Sequence, residues 1–157
     1  MGRQYRGHSV ETRCERRARA ELMKTLPRRV VVLATVYLAA SLTHFVHNAE
    51  FMDEYPNLPA WLGRVDVYLA WAVTLIPCAL GILAWVRVRY TLAFGLFAVW
   101  GTLGLLGLDH YYVAPVAAHT ATANFTIVFE ALAGTALLLS SIHSLVGSRT
   151  GQHDPAA

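Results

Sequence analysis

Apolar residues in this chain fall in four long blocks, with the polar residues gathered between and around them. The blocks cover about 30–50, 66–86, 91–109 and 119–143. Each is close to the roughly 20 residues that an α-helix needs to cross a hydrocarbon core of about 30 Å. A membrane strand needs only about 10 residues of alternating polarity, and no such alternation is present. The connections are short, so neighbouring helices should pack antiparallel. The pattern predicts an all-α membrane protein: a four-transmembrane-helix antiparallel bundle. Residues 1–29 form a basic tail and 146–157 a polar one. Pro77 should kink the second helix, and Gly101, Gly104 and Gly107 should let the third approach a neighbour closely.

Charge sets the expected orientation. Of 13 Lys and Arg residues, nine precede the first block, Arg87 and Arg89 lie between the second and third, and Arg149 follows the fourth. Arg64 alone falls at the other end, so the positive-inside rule places both termini in the cytoplasm. The expected membrane is a bacterial inner (plasma) membrane. The basic tail reads as topology and lipid contact, with no nucleic-acid partner. A signal-like run begins at Met23, with a conceivable cleavage site at Ala39-Ala40-Ser41. The apolar block continues beyond Ser41, which favours an uncleaved first helix. The chain has 55% hydrophobic and 15% charged residues, against about 25% charged in an average soluble domain. Its cysteines, Cys14 and Cys78, lie in the tail and in an apolar block, a placement that argues against a disulfide.

Polar residues inside the blocks gather at one end. His44, His47, Asn48 and Glu50 close the first helix, and Asp66 opens the second. Asp109 and His110 close the third, and His119, Asn124 and Glu130 belong to the fourth. Ionisable groups in membrane helices are costly and mark functional sites by default. Tyr37, Ser41, His44 and Asn48 follow a 4-3-4 spacing and form one stripe. His119 and Glu130 are 11 residues apart, placing them on one helical face about 16 Å apart along the axis. Glu130 is therefore expected one layer beneath the histidines.

The histidine–carboxylate set reads first as a site for zinc, iron or copper, with His44, His47, His110, His119, Glu50 and Asp66 as candidate ligands. Glu130 and Asp109 are the candidate catalytic groups, acting on a lipophilic substrate that enters from the bilayer. No His-Glu-x-x-His or Glu-x-x-His motif is present. Three alternatives stand beside this reading. One is a b-type haem held by histidines of two helices. Another is metal-free acid–base chemistry or lipid binding, with Glu130 exchanging a proton with a histidine. The third is a structural subunit whose polar groups bond across helices. Membrane lipids and a second copy of the chain are the expected partners. The segment 51–61, with Pro56, Pro59, Tyr55 and Trp61, reads as an interfacial anchor or as a lid.

The strings His44-Phe-Val-His47-Asn48, Tyr55-Pro-Asn-Leu-Pro59-Ala-Trp61 and Asp109-His110-Tyr111, together with Ala114-Pro115 through His119, Asn124 and Glu130, resemble small bacterial four-helix membrane proteins. That uncharacterised family implies the architecture over about 30–145 and no activity. A weaker likeness, in architecture and residue types alone, is to the four-helix sterol-isomerase and sigma-2-receptor-like proteins.

Overall fold

A computed structural model of the chain describes residues 27–150, with side chains through 147. The basic tail up to residue 26, with Cys14 and His8, lies outside the described residues, as does the C-terminal segment with His153. Among the described residues there is no strand. Four helical stretches are long and apolar enough to cross a membrane: Arg28–Glu50, Arg64–Val86, Tyr90–Val113 and Ala121–Gly147.

The first stretch is one uninterrupted helix, α1 (Arg28–Glu50). The second is divided into α2 (Arg64–Thr74) and α3 (Ile76–Val86), which meet at Leu75. Pro77 accounts for the break, because it has no N–H to donate and its ring crowds the carbonyl four residues back. The chain then turns sharply into α4 (Tyr90–Leu103). The backbone N–H of Val88 bonds the Trp85 carbonyl and that of Arg89 bonds the Ala84 carbonyl, both at 2.9 Å. This pairing is a Schellman closure. The position that normally takes glycine is held by Val88, at φ 59°.

The third stretch departs from a regular α-helix. After Leu103 it tightens into a 3₁₀ segment, Gly104–Asp109, and then resumes as the short α5 (His110–Val113). Glycines explain why α4 and this segment can lie so close to α6 (Ala121–Thr150). A Cβ added to Gly101 would stand 2.6 Å from the Gly134 carbonyl oxygen, and one on Gly134 would stand 2.5 Å from the Gly101 oxygen. The two backbones therefore meet with no side chain between them, as small residues permit in membrane bundles.

The fourth helix begins later than the sequence pattern suggests. A 3₁₀ turn, Val116–Ala118, comes first, and His119 is extended, at φ −95° and ψ 150°. Thr120 receives the backbone N–H of Ala123 at 3.2 Å and so starts α6, the usual work of a threonine at a helix N-terminus.

Helix α6 packs on α1 and α4, α3 packs on α4, and α2 packs on α1. The apolar core lies toward the arginine-bearing end, around Val30, Tyr37, Phe94, Phe97, Trp100 and Leu137. Toward the histidine-bearing end the apolar core shrinks to Tyr55, Ala123 and Ile127. Buried polar residues share the interior there: Ser41, His44, Asn48, His119, Thr126 and Glu130. Many large apolar side chains on the outside are exposed, among them Leu69, Val73, Ile82, Phe125, Leu132 and Leu139. A soluble monomer of this size rarely carries so much.

Candidate functional site

The stripe on α1 enters the bundle as its spacing predicts: Tyr37, Ser41, His44 and Asn48 are all buried. Facing it on α6 are Thr126 and Glu130, also buried. The Nε2 of His44 lies 3.7 Å from Oε2 of Glu130. Glu130 is thus level with His44, the most deeply buried of the four histidines. His119 precedes α6 and is extended, so it does not share with Glu130 the unbroken helical face that the spacing assumed.

The opposite edge of His44 is fixed by Thr126. That hydroxyl donates to the Ala123 carbonyl at 2.9 Å, so its lone pairs receive Nδ1–H of His44 at 3.2 Å. His44 then presents a lone pair at Nε2 toward Glu130, across a 3.7 Å gap too wide for a hydrogen bond. Gly107 walls the pair on a third side: a Cβ there would be 3.1 Å from the Glu130 Oε2 and 3.7 Å from the His44 Nε2. The Oε2 of Glu130 and the Oγ of Ser41 have no hydrogen-bond partner among the described residues.

Tyr55 joins this pair to the end of the bundle. It follows the 3₁₀ turn Met52–Glu54 in the segment between α1 and α2, yet it is only 2% exposed. Its hydroxyl lies 3.4 Å from Thr126 Oγ1 and 2.9 Å from Nδ1 of His47. Burial pushes the phenol up to about 12, so it keeps its proton. The Nε2 of His47 is 3.5 Å from Oε2 of Glu54, which also accepts the Thr120 hydroxyl. One polar chain therefore runs from Glu130 through His44, Thr126, Tyr55 and His47 to the half-buried Glu54.

A second branch contains His110 and His119. Asn48 Nδ2 donates to Nε2 of His110 at 3.3 Å, and the His44 and His110 rings are 5.5 Å apart. Nδ1 of His119 lies 3.2 Å from the Pro115 carbonyl. A carbonyl only accepts, so Nδ1 carries the proton and Nε2 keeps a lone pair. That Nε2 and the Oδ1 of Asn48 are buried with no partner among the described residues. Asn124 braces the neighbouring loop, accepting the Tyr111 hydroxyl at 2.9 Å and donating to the Val116 carbonyl at 3.0 Å.

Three of the candidate acids stand elsewhere. Glu50 is exposed and clamps the second helix, accepting the Tyr68 hydroxyl at 2.9 Å and pairing with Arg64 at 3.4 Å. Asp66 accepts the backbone N–H of Gly63 at 2.8 Å and caps α2, as an acid in a helix's first turn does. Asp109 is exposed at the end of the 3₁₀ segment. Among the described residues no three His, Cys, Asp or Glu side chains form a group that would hold one metal ion. The histidine nitrogens go instead to separate partners: Thr126, Glu130, Tyr55, Glu54, Asn48 and the Pro115 carbonyl. Tyr55, Glu54 and Thr120 enter the site without a periodic signal, because none of them lies within a regular helix. Trp61, predicted beside Tyr55 as an anchor, is 75% exposed.

No family model, curated protein or solved structure matches this chain.

Proposed function

We propose that the chain spans a bacterial inner membrane with its arginine-bearing end in the cytoplasm, and that the polar interior at the other end is an acid–base site for a lipophilic substrate. The continuous polar chain from Glu130 to Glu54 carries this reading. Once Glu130 and Nε2 of His44 close their 3.7 Å gap, each link can pass one proton: Glu130 to Nε2 of His44, Nδ1–H of His44 to Thr126, the turned Thr126 hydroxyl to Tyr55, Tyr55 to Nδ1 of His47, and Nε2–H of His47 to Glu54. A buried carboxyl beside an imidazole is suited to give and take a proton at a reacting atom. The chain restores that proton from the membrane surface. A lipophilic substrate fits because the surroundings of the site are apolar helix faces.

The test is solvent labelling. Purified protein in nanodiscs is incubated in D₂O with a bacterial membrane lipid extract, and the lipids are screened for carbon-bound deuterium. Label that disappears in Glu130→Gln and in His44→Ala supports the reading. An unlabelled extract with wild-type protein overturns it.

A zinc, iron or copper site is a second reading, favoured by His119 alone. Its Nδ1–H rests on a carbonyl while its buried Nε2 offers a lone pair, as metal-bound histidines are commonly oriented. The site would require His110 and His44 to leave Asn48 and Glu130. Elemental mass spectrometry on protein without a histidine tag decides it: stoichiometric metal, lost in His119→Ala, is the supporting result.

A further inference from the structure

Tyr55 sits where a ligand would sit. Its ring centroid is 4.8 Å from that of His110, 5.7 Å from His47, 6.0 Å from His44 and 6.3 Å from His119. Its hydroxyl touches His47 and Thr126. Four imidazoles thus surround one phenol, and the phenol comes from a connecting segment rather than from any of the four spanning stretches. None of these contacts uses the tyrosine backbone. Any flat ring with a hydroxyl in the same place makes them equally well.

Two further acceptors border the same cluster without a donor, Asn48 Oδ1 and His119 Nε2. The single hydroxyl of Tyr55 is already engaged with His47 and Thr126. A ring with a second hydroxyl brings the donor that these atoms lack, and an unpaired buried polar atom costs about 1–3 kcal/mol. Apart from the buried Tyr55 and Leu58 packed beside it, the connecting segment is tethered by side chains near the surface. Glu54 reaches His47 and Thr120, and Asn57 donates to the Val113 carbonyl at 3.1 Å.

We propose that Tyr55 is a built-in occupant of a seat for the head group of a lipid-soluble phenol or hydroquinone, which takes its place when the segment lifts. This rests on the acid–base reading of the same site and names its substrate class. In the seat, the ligand hydroxyl donates to His47 Nδ1 and lies against Thr126, whose other neighbour is His44. Seating the ring makes no use of Glu130, so binding and proton transfer are separable.

The experiment is calorimetric titration of the full chain in detergent micelles with hexylhydroquinone, with hexylbenzene as the ligand lacking hydroxyls. If the seat is self-occupied, wild-type affinity is reduced by the fraction of time that it is free, so Tyr55→Ala should bind hexylhydroquinone about tenfold more tightly. Adding His47→Ala to that variant should remove most of the gain. Equal affinities of wild type and Tyr55→Ala overturn the proposal, and so does hexylbenzene binding as tightly as hexylhydroquinone. Should Tyr55→Ala not fold, Tyr55→Phe keeps the ring and loses both hydroxyl contacts. It should bind more tightly than wild type, and unchanged affinity overturns the proposal. Binding retained while wild-type protein labels no lipid in D₂O sinks the acid–base reading and leaves the seat standing.

Discussion

Gly107 lies directly against Glu130: a methyl group on the glycine would stand 3.1 Å from the carboxylate oxygen that has no hydrogen-bond partner. Beside Glu130 the third stretch thus contributes backbone, not a side chain, to the wall of the polar interior. Ala at this position meets only side-chain atoms, which can give way by a few tenths of an ångström. Ala at Gly101 meets the Gly134 carbonyl and the Leu138 backbone at 2.6 and 2.7 Å, which cannot. Gly101→Ala should therefore cost the most, at or beyond the upper end of the roughly 1–3 kcal/mol typical of overpacking. Gly107→Ala should stay near the lower end while lowering deuterium labelling. Thermal unfolding in detergent ranks the two.

The His44–Glu130 pair is best separated into structure and chemistry by a double-mutant cycle. Glu130→Leu alone leaves His44 with an unanswered Nε2, at about 1–3 kcal/mol. In the double variant His44→Leu, Glu130→Leu both polar groups are gone. Its loss should be clearly smaller than the sum of the single losses. Chemical unfolding of the four proteins gives the coupling. Full additivity would mean that the 3.7 Å contact carries no energy.

Val88 offers a stabilising change. It holds a left-handed conformation that costs an L-residue about 1–2 kcal/mol, and glycine is the usual occupant of this place in a Schellman closure. Val88→Gly should raise stability by about 1 kcal/mol, less what glycine loses through its freer unfolded chain. A higher melting temperature with unchanged ligand affinity checks it.

Glu50 and Asp66 should prove to be structural acids. The Glu50–Arg64 pair is exposed, so its coupling should be under about 1 kcal/mol and fade in salt. Asp66→Ala removes the bond to the Gly63 N–H and should cost about 1 kcal/mol of helix stability. Neither change should alter metal content, hexylhydroquinone affinity or lipid labelling. A large loss of any of these in Asp66→Ala would return Asp66 to the site.

Much of the fold is legible because hydrophobic length and helical phase are local properties. The four stretches, the break caused by Pro77 and the buried stripe from Tyr37 to Asn48 all follow from them. What the pattern missed lies where the backbone stops being a regular helix. His119 was placed on α6 by its distance from Glu130, but Pro115 and the following 3₁₀ turn delay the helix to Ala121. Tyr55 had no periodic neighbours to assign it a face, and aromatic residues between prolines ordinarily read as interfacial. Its burial depends on His47 and Thr126 converging from two distant helices, and spacing along one segment does not report that. Glu50 and Asp66 share the composition of the site but face the second helix, which only the three-dimensional packing decides.

The bare-backbone contact between Gly101 and Gly134 also fixes how this bundle can deform. Sliding α4 along α6 would drive carbonyl oxygens into the opposing backbone, so this contact resists relative sliding of the two helices. Compliance is left to the broken stretch α2–α3, which is interrupted at Leu75 and fastened at its histidine-bearing end by Glu50. Lateral stress on the bundle would load that stretch first. The polar chain, whose two ends rest on α6 and on the segment leading into α2, would be stretched or slackened accordingly.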